Sequence, residues 1–295
     1  MRQLPTEKRV MILNMLVEGM SMRAISRTVG CSINTVTKLL ENAGRACAAY
    51  HDETVRNVKV SRVECDEIWS FWYAKEKNVA DAKAAPKGAG DVWTWTAIDA
   101  DSKMILAYEI GDRSAETAYD FMLNLRRRID GRVQLTTDGH NAYLEPVEEV
   151  FGGDIDYAQL IKQYGEPRGT AKHERKYSPA VCTGTKKRIV SGDPIEELIS
   201  TSYVERQNLS MRMGMRRFTR LTNAFSKKLQ NHLHMLSLYF VHYNFVRIHK
   251  TLKMTPAMAA GVSESLYDME WVVGLIDAMA LKPKRLTTYK KSISK

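Results

Sequence analysis

Cysteine is scarce in this 295-residue chain, and its four copies, Cys31, Cys47, Cys65 and Cys182, form no C-x-x-C pair. None has a histidine at ligand spacing, which argues against a disulfide framework or a zinc finger and for a reducing, cytoplasmic setting. Long apolar runs are missing as well. The stretch Leu233 to Val246 is apolar but short and broken by His and Asn, so no membrane-spanning helix is expected. The opening MRQLPTEKRV lacks the apolar core of a signal peptide. Internal repeats are absent.

Negative charge is in deficit. Lys and Arg number 44 against 34 Asp and Glu, a formal net charge of +10 with a pI near 9.3. The excess suits a polyanion, because each cation near a phosphate releases condensed counterions. Ribosomal and membrane-surface proteins share that property, so it carries weight only beside recognisable chemistry. The apolar fraction of 44% is ordinary for a globular protein, and the length allows two or three domains.

Residues 1–50 read as a helical unit. Met11, Leu13, Met15 and Leu16 form an apolar stripe ended by Gly19. SMRAISRTVGCSINTVTKLLENAG then reads as helix, turn, helix, with Ser21 and Ser32 as N-caps and Gly30 at the reversal. That spacing matches a helix-turn-helix, whose second helix enters the major groove and would point Asn34, Thr35, Thr37 and Lys38 at DNA. The plain alternative is a three-helix cap without a ligand.

From Val63 the pattern turns to strands: VECDEIWSFWY, VWTWTAID, MILAYEIG and RVQLTTDGH, with another near Tyr157 to Ile161. Ala74 to Gly90 reads as a flexible hairpin loop, and helices are expected over Ser114 to Ile129 and from about Asn141. The expected fold class is α/β, with a mixed five-stranded sheet flanked by helices over residues 60–250. Residues 165–193 read as a basic loop inserted in that unit and carrying Lys186, Lys187 and Arg188; it is taken as a DNA contact, or else a solvated basic loop. Helices follow over Thr201 to Met215 and Ala224 to Val246. Residues 251–295 form a helical extension with a basic tail.

Three acids stand out. Asp66 lies inside the first strand among apolar neighbours, Asp138 ends a strand, and Glu205 begins a helix in YVERQN. Carboxylates converging from separate elements are what two-metal phosphodiester cleavage needs. Each has a plainer account: Asp138 before Gly is a good turn residue, Glu205 favours the helix dipole, and either Asp66 or its neighbour Glu67 can be an edge or salt-bridge residue. Asn208, Arg212 and Arg216 follow near the Glu205 face, opposite an apolar face of Val204, Met211 and Met215.

The D…D…E order, with Arg212 two turns after Glu205, resembles DDE transposases of bacterial insertion sequences. YNFVRIHKTLKMTPAMAA is similar to a Y-N-x-x-R-x-H-x-x-L…T-P-A signature of such enzymes, here Tyr243, Asn244, Arg247, His249, Leu252, Thr255, Pro256 and Ala257. TTDGHNAY and DEIW add to the likeness, which spans about residues 60 to 262 and within the superfamily is to the family named after insertion sequence one. The resemblance implies an RNase H-like fold and two Mg²⁺ ions, with Mn²⁺ as a substitute, held by Asp66, Asp138 and Glu205. It also implies Arg212 near the scissile phosphate, double-stranded DNA partners (terminal inverted repeats and target), and a homodimer or higher oligomer. Members often carry an N-terminal zinc finger that the cysteines here cannot build. The rival expectation is a sequence-specific DNA-binding protein without catalysis, such as a repressor or an inactivated transposase; a nuclease without strand transfer is a third.

Overall fold

The computed structural model describes residues 4–165, 181–219 and 223–280. Three helices come first: α1 (Thr6–Val17), α2 (Met22–Val29) and α3 (Ile33–Thr54). Ser21 accepts from the Ala24 amide and Ser32 from the Asn34 amide, so both predicted caps are made. Gly30 reverses the chain at φ 67°, ψ 42°, in the left-handed region that glycine enters without steric cost. Ile12, Leu13, Leu16, Ile25, Val36 and Leu40 close a small core beneath.

Helix α3 does not stop at the expected boundary near residue 50. Its C-terminal half packs along a later helix, α7 (Leu229–Val241), and on α9 (Met269–Met279). Gly44 permits that approach, since a Cβ there would sit 2.3 Å from the Cβ of His234. Arg9 on α1 grips Asp277 of α9 through both carboxylate oxygens, at 2.7 and 3.0 Å. Trp271 stacks on Tyr267 and meets Tyr50 edge-on, so the segment 263–279 packs within the chain.

The central sheet holds six strands: β1 (Arg62–Trp72), β2 (Gly90–Asp99), β3 (Ile105–Gly111), β4 (Val133–Asp138), β5 (Ile155–Tyr164) and β6 (Cys182–Ser191). Their order is β3-β2-β1-β4-β5-β6. The first three are antiparallel, β4 and β5 run parallel to β1, and β6 returns antiparallel on β5. Helix α4 (Ala115–Arg126) links β3 to β4, and α5 (Leu144–Phe151) links β4 to β5, as parallel crossovers require. After β6 come α6 (Ser202–Gly214), α7 with a π-helical end at His242–Val246, the single turn α8 (Pro256–Ala259), and α9.

Two expectations need correction. The sheet has six strands instead of five, and the sixth arises inside the segment 165–193 that reads as a loop. β6 is an edge strand exposed on both faces, so it shows no apolar alternation, and its Lys186, Lys187 and Arg188 are the charges that commonly protect such an edge. Residues 166–180 lie outside the described residues, as does the basic tail. No helix among the described residues is long and apolar enough to cross a membrane.

Candidate functional site

A cavity of about 430 Å³ opens at the C-terminal end of β4, lined by Asp66, Arg113, Asp138, His140, Lys162 and Glu205 among others. The sheet register explains the first pairing. β1 and β4 run parallel with Cys65 opposite Thr137, so Asp66 and Asp138 come next in line on the two central strands. Carboxylate oxygens of Asp66, Glu67 and Asp138 lie within 4.8 Å of one another. Glu67, the next residue along β1, belongs to that group but is almost fully buried and does not line the cavity. Arg113, in the β3–α4 connection, donates to its Oε2 at 2.8 Å and lies 3.8 Å from Asp138 Oδ2. Asp66 therefore lines the cavity and Glu67 stands behind it.

Glu205 reaches the same cavity from α6 but stays outside that tight carboxylate group. Lys162 of β5 pairs with its Oε2, and Thr201 donates to its Oε1. The helix is pinned from below by Glu64, whose Oε2 accepts from the amides of Tyr203 and Val204 at 2.7 and 3.1 Å. Thr201 supplies no cap, so a carboxylate from β1 satisfies the helix N-terminus in its place. One turn on, Asn208 donates to Asp66 Oδ2 at 2.7 Å, fixing α6 over β1. Val204, Met211 and Met215 are buried as the helical spacing predicts.

Burial and crowding set the protonation of the two inner acids, Asp66 and Glu67. Burial, then the Asp138 charge, pushes Asp66 up to about 7, with Asn208 pulling the other way. Burial and Asp138 likewise push Glu67 up to about 8 against the pull of Arg113. Burial tends to lower Lys162, but Glu205 outweighs it and leaves the ammonium above its ordinary value. Asp66 and Glu67, both pushed toward their neutral forms beside the Asp138 carboxylate, belong to an oxygen-rich set that a divalent cation would stabilise, since oxygen ligands in close array suit Mg²⁺. The arrangement fits such an ion between Asp66 and Asp138; Glu205 would join only on releasing Lys162.

The other predicted residues are more dispersed. Asn34 and Lys38 are exposed on the first turns of α3, with Thr35 partly so, but the Thr37 hydroxyl donates back to the Ile33 carbonyl. Arg212 donates to the Phe218 carbonyl at 3.4 Å, and Arg216 is exposed in the turn after α6. Lys186, Lys187 and Arg188 lie on β6 and do not line the cavity, although Lys186 and Lys187 pair with Ile161 and Leu160, which do. His140 makes an ordinary contact, its Nε2 3.3 Å from the Arg113 carbonyl. Within the Y-N…T-P-A segment, Asn244 clamps Ile105 through both amide atoms (2.9 and 2.8 Å), and Thr255 caps α8 through the Met258 amide. Both are roles in the fold. Arg113, Lys162 and Glu64 escaped sequence reasoning; each is an ordinary charge whose partner lies far off in the chain. No family model and no curated protein matches this chain.

Proposed function

We propose that the chain is a DNA transposase of the DDE type, cutting and rejoining strands in an RNase H-like domain guided by an N-terminal helix-turn-helix. The observation that carries the reading is the adjacency of Asp66 and Asp138 on parallel central strands, with Glu205 facing the same cavity from α6. Strand order supports it too: three antiparallel strands followed by two parallel ones gather the acids at a single strand end.

Asp66 and Asp138 would hold Mg²⁺, with Glu205 completing the set. When bound, the metal supplies charge to activate an attacking oxygen and to neutralise the phosphate. The chain's own part is positional. Glu64 and Asn208 keep α6 against β1, Arg113 shares its charge between Glu67 and Asp138, and Lys162 is placed to meet a phosphate oxygen once freed from Glu205. Attack in line by water and then by a 3′-hydroxyl needs no covalent protein–DNA bond. Asn34, Thr35 and Lys38 would read the element ends, and Lys186, Lys187 and Arg188 would follow the backbone.

One observation favours the non-catalytic reading. Lys162 and Arg113 already offset the acids internally, as a site without a metal would require. The deciding assay is strand transfer by the purified protein in Mg²⁺ on labelled DNA carrying the element's ends, beside an Asp138→Asn control. Joined products from the native protein alone support the transposase. Tight binding with no cleavage or joining in Mg²⁺ or Mn²⁺ leaves the DNA-binding protein.

A further inference from the structure

The N-terminal helices pass into the rest of the chain without a linker. Helix α3 runs on to Thr54, Val55 is fully buried, and Val58 pairs with Ile129. Arg128, just past α4, closes the end of α3. Its Nη1 donates to the carbonyls of His51 and Val55, both at 3.3 Å, and its Nη2 to Asp52 Oδ1 at 3.1 Å. A guanidinium there satisfies last-turn carbonyls that the helix itself cannot pair.

The second junction is backbone against backbone. Gly19, in the α1–α2 turn at φ 76°, faces the end of α6, where an added Cβ would lie 2.7 Å from the Met213 carbonyl oxygen. Across the same contact, a Cβ on Gly214 would lie 3.0 Å from the Val17 carbonyl oxygen and 2.6 Å from the Tyr239 ring. Met22, which opens α2, has its Sδ 3.9 Å from Arg217 Nη2 just past α6. Contacts this close leave no room for the two parts to slide. From Glu205 to Met213 the helix spans about 12 Å.

Direction matters as well. Ser70, near the end of β1, meets His232 of α7 at 3.3 Å, and His234 of the same helix meets Gly44. Further along α3, His51 reaches the Ile105 carbonyl, which is level with Glu64 near the start of β1 through Ile98 of β2. α3 therefore runs counter to β1. Asn34 lies about 15 Å up the helix from Gly44, whereas β1 continues only about 7 Å beyond Ser70, so the first turns of α3 project past the end of that strand. The carboxylate cavity opens toward the same end, since β4 runs parallel to β1 and Asp138 is its last residue.

We propose that the helix-turn-helix and the carboxylate cavity form one rigid gauge: a duplex held by the first turns of α3 meets Asp66 and Asp138 at a fixed number of base pairs, and that distance sets where it is cut. This rests on the transposase reading for the cut and on α3 as the reading helix. A DNA-reading unit on a flexible linker would sample many offsets and leave the cut to the sequence around it.

The test uses the full chain and end-bearing duplexes with two or five base pairs inserted between the sequence protected in a nuclease footprint and the native cut. Two marks are mapped: cleavage in Mg²⁺, and hydroxyl-radical scission from Fe²⁺ with peroxide, which reports the DNA beside the cavity without catalysis. Both are expected to keep their distance from the footprint, and so to leave the native position by the inserted length. Marks that stay at the native position, or scatter over many, overturn the proposal. So does scission that survives Asp66→Asn with Asp138→Asn, since it would not arise at the cavity, and so does a footprint untouched by Asn34→Ala with Lys38→Ala. Gly19→Ala, which forces the turn away from α6, should spread both marks over neighbouring positions, whereas lost stability alone lowers yield without moving them; marks unchanged in that variant also overturn the gauge. Scission at constant offset without cleavage in Mg²⁺ sinks the enzyme reading and keeps the gauge. Cleavage fixed at the native position does the reverse.

Discussion

Asp66 and Glu67 are neighbours in sequence with different tasks: both belong to the close carboxylate group, but only Asp66 lines the cavity. Both have folded pKa values raised above the ordinary carboxylate range near 4, to about 7 and about 8. Between about pH 4 and pH 8 the folded chain therefore holds more protons than the unfolded one, and stability falls as pH rises through that window. Without divalent metal, Asp66→Asn should melt higher than the parent at pH 8 and match it near pH 4, as scanning fluorimetry would report; an identical gap at both pH values would contradict the burial argument. Mg²⁺ should raise the parent's melting temperature more at pH 8 than at pH 6, since metal binding competes with protons for these oxygens. The increment should vanish in Asp66→Asn and in Asp138→Asn.

Elements matter here for what they aim. α6 has no side-chain cap of its own, and its first amides are satisfied by Glu64 from another part of the chain. Removing that carboxylate by Glu64→Ala should cost about 1–2 kcal/mol of stability in urea unfolding. If the proposed transposase activity holds, strand transfer should fall further than stability explains, because Glu205 sits in the turn that Glu64 holds. A second element-level case is α3 against α7. Ala is normally the better helix former by about 1 kcal/mol. At Gly44, however, the added Cβ would come within 2.4 Å of the His234 Cα. Overpacking of that kind costs roughly 1–3 kcal/mol, so Gly44→Ala should destabilise on balance. A neutral or stabilising result in thermal melts would mean that the two helices separate easily.

Across the whole molecule, two basic regions are candidates for DNA contact: the first turns of α3, and the β6 edge, where Lys186 and Lys187 pair with Ile161 and Leu160 of the cavity lining. If both regions follow a DNA backbone, affinity should fall steeply with salt. Changing Lys186, Lys187 and Arg188 to Gln should then lower the slope of log affinity against log salt by about 0.9 for each phosphate no longer neutralised. An unchanged slope would assign those residues to edge protection alone. The Arg9–Asp277 pair and the packing of α3 on α7 bind the N-terminal helices to the C-terminal ones, so the two ends of the chain should unfold together.

Much of this was legible locally. The two serine caps, Gly30 and the buried face of α6 depend on spacing within one element, where a single chain segment sets the physics. β6 was not legible, because an edge strand with two exposed faces leaves no alternating pattern to read. Nor was the ending of α3, since its last turns are apolar for α7 and α9 rather than for its own unit. Sequence alone determined which acids are candidates and which helices and strands would carry them. Only the tertiary structure decided that Asp66 rather than Glu67 lines the cavity, that Lys162 and Arg113 balance its charge, and that Glu64 aims the helix of Glu205. Those are contacts between residues far apart in the chain, and their partners come together only when the sheet register and the crossover helices set the distances.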